Sequence, residues 1–443
     1  MMLKISISGI RGMVPDSLTP EVCLNFAKAF GTYMQGETIV VGTDTRSSSE
    51  FIKGIVLQGL LSSGCKVIDL GVATTPTVGI VVRELQAQGG LVVTASHNPE
   101  PWNGLKFIRK DGIFLNSQQT KKLLEIYENK TFEEAPGGSA KTYNKASEIH
   151  INKILKAIDP KKIRKAKFKV VIDSCNGAGS VITPLLLKEL GCIVIELNTN
   201  TKKLFPRGAE PTPENLTELA AIVKKEGADI GFAQDPDADR LAIVTETGVP
   251  VSEEYTLALS VKYILQTTSS SRRIVVTNLS TTSAIDHIAR EFGAVVIRTK
   301  IGEVHVAEEI KAKKALIGGE GNGGVIYPKV GFNRDSLSGI ALILMYLANQ
   351  KNKISELVGA IPEYVLIKKK ITCDSSREAL DFLENSKLKF QKDSLDLTEG
   401  VKVIRKIGWL HLRASNTEPI IRIFAECKDK KTAEEFIQEA LES

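Results

Sequence analysis

The chain has 443 residues, of which 42% are hydrophobic and 25% charged, as is ordinary for a globular protein. A single core stops growing near about 250–300 residues, so this length predicts between two and four domains. The net charge of +6 is modest and the lysines are not interleaved with aromatic residues, which argues against nucleic-acid binding. Neither a membrane span nor an export signal is found in the sequence, so we expect a cytoplasmic protein with no membrane partner.

Short β-branched segments alternate with segments of helical period, and from the start of the chain they fall into three similar units. Each unit is predicted to contain a strand ending in a polar turn, a helix, a second strand, another helix, and a third strand that enters a polar loop. The predicted strands are 38–41, 66–68 and 91–93, then 169–172, 193–195 and 229–232, then 273–276, 294–297 and 315–318; helices are predicted at 50–61, 181–190 and 283–292.

The last part of the chain departs from this repeat and indicates a small α+β domain. Its predicted strands are 365–372, 400–405, 409–413 and 420–426, and its predicted helices are 376–385 and 432–441. Alternation of strands and helices is common to all α/β proteins. The repeat is more informative here because each third strand ends in a loop with unusual chemistry.

In the first unit this loop is residues 94–106, TASHNPEPWNGLK, with Ser96 beside a histidine. A serine at a strand end is a candidate nucleophile. An acyl hydrolase would surround it with glycines as G-x-S-x-G, and that pattern is missing. Turn signals at 98–99 and 103–104 predict that the segment folds back on itself. This would bring Lys106 toward Ser96, where a cation would favour a phosphoserine.

In the second unit the loop is DPDADR, residues 235–240. Asp235, Asp237 and Asp239 alternate along the chain, so their carboxylates project to one side of an extended segment. Carboxylates packed so closely repel one another, and a hard divalent cation relieves the repulsion. Three protein oxygens suit a Mg²⁺ ion that shares its other positions with phosphate and water. A solvated acidic turn is the alternative reading.

In the third unit the loop is GGEGNGG, residues 318–324, and it leads into another apolar segment. A glycine-rich nucleotide-binding loop would lead into a helix instead, so nucleotide binding is disfavoured. Glu320 is the lone acid among glycines and suits hydrogen bonding to vicinal sugar hydroxyls. We take it, with Asn322 of the same loop, as a candidate substrate-binding residue.

The C-terminal domain carries RASNTEP at residues 413–419, a segment rich in donors for an oxyanion. A polar hairpin turn is the alternative. The candidate phosphate-binding residues are Arg413, Ser415, Asn416, Thr417 and Arg422. Together the four segments indicate phosphoryl chemistry on a polyhydroxy substrate.

With these motifs in this order, the chain resembles the α-D-phosphohexomutases over its whole length. The motifs that carry the resemblance are TASHNP, DPDADR and RASNTEP. The resemblance implies three related α/β domains with mixed sheets and a C-terminal α+β domain around a central cleft. The predicted domains are residues 1–150, 151–255, 256–365 and 366–443.

The resemblance also implies roles for individual residues. Ser96 would be the phosphoserine and, with Asp235, Asp237 and Asp239, would hold Mg²⁺. Arg11 and Arg240 would lie beside the transferring phosphoryl group, and His97 and Lys106 would assist proton transfer. Glu320 would contact sugar hydroxyls, and the C-terminal residues would bind the phosphate that is not reacting.

The implied reaction moves a phosphoryl group between the 6- and 1-positions of a hexose through a bound bisphosphate. We expect a phosphosugar substrate, a sugar bisphosphate activator, and a monomer or homodimer. Glucosamine 6-phosphate is the favoured substrate, because the opening ISGIRG and the GEGNGG loop are similar to phosphoglucosamine mutases. A phosphomannomutase/phosphoglucomutase is the alternative, since the sequence of residues 205–213 is similar to those enzymes. A phosphosugar phosphatase is a more distant alternative. One departure concerns the base: Gly324 stands where many relatives carry histidine, so that role moves to His97 or Lys106.

Overall fold

In the computed structural model, residues 3–7, 9–415 and 419–442 are described. They form four sheets, one to each of four domains, which confirms the predicted architecture of three α/β domains and a C-terminal α+β domain. Within these residues, no helix is both long enough and apolar enough to cross a bilayer.

The first domain is built on a seven-stranded mixed sheet in the order β1-β2-β6-β5-β3-β4-β7. Its strands β3 and β5 are fully apolar at their centres and are covered by helices on both faces, which is why they read as continuous hydrophobic runs. The elements are β1 (Lys4–Ser6), β2 (Gly9–Met13), α1 (Pro20–Tyr33), β3 (Thr38–Thr43), α2 (Ser49–Ser62), β4 (Lys66–Val72), α3 (Thr75–Glu84), β5 (Gly89–Val93), β6 (Trp102–Arg109), α4 (Ser117–Glu128) and β7 (Ser139–Thr142).

The second domain has a five-stranded sheet in the order β12-β11-β10-β8-β9. Its elements are α5 (Ala146–Ala157), α6 (Pro160–Ala166), β8 (Lys169–Asp173), α7 (Gly179–Glu189), β9 (Ile193–Leu197), a 3₁₀ turn (Pro213–Asn215), α8 (Thr217–Glu226), β10 (Ile230–Gln234), β11 (Leu241–Thr245) and β12 (Pro250–Val251).

The third domain has a four-stranded sheet in the order β14-β13-β15-β16. Its long helix α12 is apolar all round, and its first twelve residues are buried. The elements are α9 (Glu254–Thr267), β13 (Ile274–Asn278), α10 (Ala284–Glu291), β14 (Val295–Thr299), α11 (Glu303–Lys313), β15 (Ile317–Glu320), β16 (Gly324–Ile326), α12 (Ser336–Gln350) and α13 (Ile354–Gly359).

The three α/β domains share one core of four strands. In each, the first strand pairs in parallel with the second and the third, and the third pairs antiparallel with a fourth. The chemically distinctive loops all occupy the same place, between the third and fourth strands of this core. This confirms the predicted repeat and explains how three loops remote in sequence face one cleft.

The C-terminal domain is a sheet in the order β17-β21-β20-β19-β18 with helices packed on it. All of its strand pairs are antiparallel, in contrast to the α/β cores. The elements are β17 (Val365–Thr372), α14 (Ser376–Lys389), β18 (Ser394–Asp396), β19 (Val401–Arg405), β20 (Gly408–Ala414), β21 (Ile420–Cys427) and α15 (Lys430–Leu441).

One local prediction is wrong. The segment predicted as a single folded-back loop, residues 94–106, becomes strand β6 from Trp102 onward, so the predicted turn at 103–104 is absent from this described segment. Gly104 is needed there because a Cβ atom would lie 2.2 Å from the carbonyl oxygen of Ile10 on the neighbouring strand. The glycine marks a close approach of two backbones rather than a turn. The domain boundaries near 150, 255 and 365 stay predictions.

Candidate active site

Ser96 lies at the carboxyl end of β5 in a strained backbone conformation. Its φ is +51°, a left-handed value that costs a residue with a side chain free energy, and such strain concentrates at functional sites. The side chain is buried, and its Oγ donates a hydrogen bond of 3.0 Å to Oδ2 of Asp235 in the second domain. The backbone N–H of Ser96 donates to Oγ1 of Thr94. The predicted nucleophile and the predicted metal loop are therefore in direct contact.

Arg46 holds the serine loop in this shape, and sequence reasoning missed it. Its guanidinium donates to the carbonyl oxygens of Ser96 at 2.5 Å, Asn98 at 2.7 Å, Pro99 at 2.6 Å and Trp102 at 2.9 Å. Its Nε donates to Asp44 at 3.0 Å, and both charged groups are buried. Arg46 belongs to the polar turn GTDTR that ends β3, but nothing in the sequence of that turn indicates the distant carbonyl groups that Arg46 binds.

The three aspartates of the second loop lie together and are buried. One carboxylate oxygen from each falls within 4.8 Å of the others. Asp235 accepts backbone hydrogen bonds through Oδ1 and the Ser96 hydroxyl through Oδ2. Asp237 Oδ2 accepts from Thr75 Oγ1 at 2.5 Å and from Lys106 Nζ at 2.6 Å. Asp239 Oδ2 accepts from Arg334 Nη2 at 2.6 Å.

The remaining oxygens of this cluster fit a divalent cation. Asp237 Oδ1 and Asp239 Oδ1 are buried, and none of the described residues donates a hydrogen bond to either. A buried carboxylate oxygen without a partner is costly, and a hard cation with oxygen ligands removes that cost. Burial, with the charges of Asp239 and Asp237, raises the pKa of Asp235 well above its ordinary value. Such mutual repulsion is what a metal ion relieves.

Lys106 forms ion pairs with two of the three aspartates. It is on β6, and its Nζ reaches Asp237 at 2.6 Å and Asp239 at 3.3 Å. Burial lowers its pKa, but the two carboxylates outweigh burial, so the pKa of Lys106 is raised and the ammonium keeps its proton. The segment does fold back on itself, because β6 pairs antiparallel with β5, and the alternation of side chains along β6 sets the direction of Lys106.

Three other predicted residues surround the serine loop. Arg11, on β2, donates to Asn98 Oδ1 at 2.9 Å and to the carbonyl oxygen of Ala95 at 3.4 Å. Arg240 pairs with Glu210, and its backbone N–H donates to Asp235. The His97 Nδ1 atom is buried and has no hydrogen-bond partner among the described residues. Burial, then the charges of Arg240 and Arg11, lowers the pKa of His97 well below its usual value, so the imidazole is neutral.

The third-domain loop brings Glu320 to the same cleft. Its Oε1 accepts from Asn278 Nδ2 at 2.8 Å and from the N–H of Gly302 at 3.1 Å, and its Oε2 accepts from Arg334 Nη1 at 2.9 Å. Oε2 accepts only this one hydrogen bond and keeps a further lone pair for a ligand. Asn322 lines the cleft, and its buried Oδ1 accepts no hydrogen bond from the described part of the chain.

The C-terminal domain contributes cations to the opposite wall. Arg413 Nη1 donates to Glu399 at 2.8 Å, and both Arg413 and Arg422 line the cleft. Ser415 lines its outward extension. Asn416 and Thr417, predicted to bind phosphate, lie outside the described residues.

These residues enclose a cleft of about 460 Å³ to which every domain contributes. An adjoining cavity of about 820 Å³ shares Arg11, His97, Arg413 and Arg422 and opens toward solvent. Ligand pockets for small molecules have volumes of about 300–1,000 Å³, so a phosphorylated hexose is well within range. Arg334 and Glu303 also line the cleft and were missed, because their partners lie far away in sequence.

The sequence matches family models along its length, and their descriptions follow the domains just described. The models are phosphoglucomutase/phosphomannomutase alpha/beta/alpha domain I at residues 3–134, domain II at 148–248, domain III at 252–364, and the C-terminal domain at 370–443.

Individual proteins similar to this chain carry names from the same family. A "Phosphoglucomutase/phosphomannomutase" from Thermococcus kodakarensis is 38% identical over 97% of this chain and 96% of its own length. A "Probable phosphoglucosamine mutase" from Methanopyrus kandleri is 36% identical over 98% of this chain and 95% of its own. The crystal structure of a phosphoglucomutase/phosphomannomutase family protein from Burkholderia thailandensis superposes with a TM-score of 0.84 at 26% identity, over 98% of this chain and 96% of that one.

The family is metal-dependent, and the aspartate cluster provides a site with the required donors. With its four domains, its serine and aspartate loops in contact and its relatives matched end to end, this chain belongs to the phosphoglucomutase/phosphomannomutase family and is a phosphohexomutase, an isomerase that transfers a phosphoryl group within a sugar phosphate.

Proposed function

We propose that Ser96 carries the phosphoryl group that this mutase exchanges between the 6- and 1-positions of a hexose. The observation that carries the proposal is the 3.0 Å contact of Ser96 Oγ with Asp235. Ser96 is adjacent in sequence to His97, which lines a cleft to which all four domains contribute. A phosphate on Ser96 would add an oxygen ligand beside the three aspartates.

The metal is proposed to be Mg²⁺, held by Asp235, Asp237, Asp239 and the phosphate on Ser96. The donor set is all oxygen and supplies few protein ligands, as is typical of Mg²⁺ sites that are completed by phosphate and water. When bound, the ion neutralises negative charge on the phosphoryl oxygens.

The residues around Ser96 are proposed to orient the transfer. Arg11 and Arg240 present guanidinium groups toward the cleft, where they would pair with the equatorial oxygens of the phosphoryl group. In the forward step the bond from phosphorus to Ser96 Oγ breaks as the bond to the sugar hydroxyl oxygen forms, and Ser96 Oγ takes up a proton to become a hydroxyl again. The hydroxyl proton leaves to a base, and we favour His97 over Lys106, because Nζ of Lys106 is engaged by two carboxylates.

The distal end of the substrate is proposed to lie against the C-terminal wall. Arg413, Ser415, Asn416, Thr417 and Arg422 would bind the non-reacting phosphate, while Glu320 and Asn322 would contact hydroxyl groups of the ring. The bisphosphate then turns in the cleft and returns its other phosphate to Ser96. Retaining the bisphosphate through both transfers distinguishes a mutase from a phosphosugar phosphatase.

The proposed substrate is glucosamine 6-phosphate, converted to glucosamine 1-phosphate. The sequence of the 318–324 loop and the relative named as a phosphoglucosamine mutase both support it. The relative named phosphoglucomutase/phosphomannomutase supports glucose and mannose phosphates as the alternative. A sugar bisphosphate is the proposed activator, and we propose that the enzyme acts in the cytoplasm as a monomer or homodimer.

A coupled mutase assay tests both parts of the proposal. It contains Mg²⁺ and a trace of sugar bisphosphate and compares glucosamine, glucose and mannose phosphates. We expect turnover in the wild type, highest kcat/KM with glucosamine 6-phosphate, and near-complete loss in Ser96→Ala. Ser180→Ala is the matched control, because its Oγ has no hydrogen-bond partner among the described residues and lies outside the cleft. An active Ser96→Ala protein would refute the role of the serine.

A further inference from the structure

Arg334 connects three carboxylates that come from separate parts of the chain. Its Nη2 donates to Asp239 at 2.6 Å, its Nη1 to Glu320 at 2.9 Å and its Nε to Glu303 at 3.0 Å. The backbone N–H of Arg334 also donates to Glu303, at 2.9 Å. The side chain is buried at the edge of the cleft, immediately before the N-cap residue of α12.

The side chain of Arg334 occupies the space that a side chain at position 324 would fill, and that space is free because residue 324 is glycine. A Cβ atom built on Gly324 would lie 2.1 Å from Cδ and 2.7 Å from Cγ of Arg334, distances that no pair of carbon atoms tolerates. The backbone of Gly324 is not in the left-handed region, so its own conformation accepts any residue. The requirement for glycine at this position therefore comes mainly from Arg334, with a lesser contact of 3.1 Å to Oδ1 of Asn322.

The guanidinium of Arg334 affects the two carboxylate oxygens of Asp239 differently. Arg334 and Lys106 both bind Oδ2, which leaves Oδ1 without a donor among the described residues. A planar guanidinium with fixed donor directions restrains the carboxylate plane, which a flexible ammonium does not. Partners that orient a ligand carboxylate in this way set metal affinity.

We propose that Arg334 is a positioning residue that aligns Asp239 for the metal and Glu320 for the sugar, and that Gly324 provides the space for it. The inference rests on the proposed roles of Asp239 and Glu320. Because one guanidinium contacts both, displacing it loosens the metal ligand and the sugar-binding carboxylate together. An arginine stays protonated, so Arg334 is not a proton acceptor.

The test measures Mn²⁺ binding by electron paramagnetic resonance together with KM for the hexose 6-phosphate that the wild type turns over. Arg334→Ala is expected to weaken Mn²⁺ binding by about 10- to 100-fold, as the loss of an outer partner of a metal ligand does. KM should rise in the same variant. Gly324→Ala should reproduce both effects while the arginine is still present.

The double variant supplies the decisive comparison. Once Arg334→Ala has removed Cγ and Cδ, the Cβ of Gly324→Ala meets only the Oδ1 atom of Asn322, at 3.1 Å, so it should add little to the single arginine substitution. Equal effects of Gly324→Ala in both backgrounds would overturn the inference. So would wild-type Mn²⁺ affinity in Gly324→Ala, the variant that decides the matter if Arg334→Ala does not fold.

Two controls separate this inference from the proposed function. Arg405→Ala removes another arginine whose guanidinium binds two carboxylates, those of Asp393 and Glu439 in the C-terminal domain. This substitution should leave Mn²⁺ affinity unchanged. Asp237→Asn should weaken Mn²⁺ binding. If Asp237→Asn binds Mn²⁺ with wild-type affinity, the proposed metal site is refuted. If Asp237→Asn binds Mn²⁺ more weakly but the variants at positions 324 and 334 keep wild-type affinity, only the positioning role of Arg334 is refuted.

Discussion

Replacing Arg46 by lysine should loosen the serine loop without touching the substrate. The Arg46 side chain makes five hydrogen bonds, four to carbonyl oxygens of residues 96–102 and one to Asp44. It does not line the cleft. The substitution Arg46→Lys keeps the positive charge, so it tests the geometry of the guanidinium rather than its charge.

The size of the effect follows from counting donors. A lysine ammonium has three N–H groups, so at least two of the five acceptors lose their hydrogen bond to this side chain. Asp44 Oδ2 and the Pro99 carbonyl oxygen each keep a second donor, but a hydrogen bond to a charged group contributes about 1–3 kcal/mol, so the loss of two costs the closed loop about 2–6 kcal/mol. At about 1.36 kcal/mol for each factor of ten, the loop should open at least about 30-fold more often.

Hydrogen exchange of the peptide covering residues 94–104 measures this opening directly. In the wild type its amides are held by short local hydrogen bonds, including Asn98 N–H to the carbonyl oxygen of Ala95 at 3.1 Å. We expect exchange at these amides to accelerate by about 30-fold or more. The value of kcat should fall by about 100-fold, because small misplacements of a reacting group are costly, while KM changes little.

Arg405→Lys is the matched control, since Arg405 also makes several side-chain hydrogen bonds, in its case to the carboxylates of Asp393 and Glu439, but lies in another domain. It should lower stability without changing exchange at residues 94–104 or kcat. If Arg46→Lys shows wild-type protection of this loop, the view that Arg46 maintains its shape is refuted.

Two further predictions concern the metal site and a buried acid. Asp237→Asn should abolish turnover, and chelation of the wild type with EDTA should do the same until Mg²⁺ is restored. Asp111 is an ion-paired aspartate outside the cleft, so Asp111→Asn should have no effect on turnover. Full activity of the wild type in EDTA would contradict the metal requirement. Burial raises the pKa of Glu254 to about 8, well above the value of about 4.3 for an unfolded glutamate. The folded chain therefore holds a proton that the unfolded chain loses between these values, so the free energy of unfolding falls as pH rises through this window. In Glu254→Gln the Tm should fall less between pH 5 and 8 than in the wild type, and an unchanged slope would refute the assignment.

The general plan of the molecule could be predicted because the repeat is local in sequence. Each unit carries its own β-branched strands and its own loop, and the carboxyl ends of parallel strands meet at one edge of a sheet. This was sufficient to place each distinctive loop at the end of a strand in its own domain, whereas the resemblance to the phosphohexomutases supplied the expectation that the loops share one cleft. The repeat was not sufficient to recognise β6, because an asparagine–glycine pair such as 103–104 is typical of turns, while glycine also occurs in strands that approach another backbone closely.

The arginines that organise the site could not be predicted from local pattern. Arg334 binds carboxylates 14, 31 and 95 positions away, and Arg46 binds carbonyl groups about fifty positions away. Single-sequence reasoning detects periodicity and short motifs, whereas these contacts depend on the tertiary fold and, for Arg334 and Asp239, on how two domains meet. Lys106 was identified as important, but its partners are the aspartates because side-chain direction on β6 is fixed by the pleat.

The hydrogen bond from Ser96 to Asp235 has a thermodynamic consequence for the two forms of the enzyme. A phosphate ester on Oγ has no hydroxyl proton, so Asp235 Oδ2 loses its donor when the serine is phosphorylated. In the unmodified chain a cation competes with that hydroxyl for the carboxylate, and in the phosphorylated chain it does not. Binding of the cation and occupancy of the serine are therefore linked, and linkage is reciprocal: whatever phosphorylation adds to metal affinity, the metal returns as a preference for the phosphorylated state.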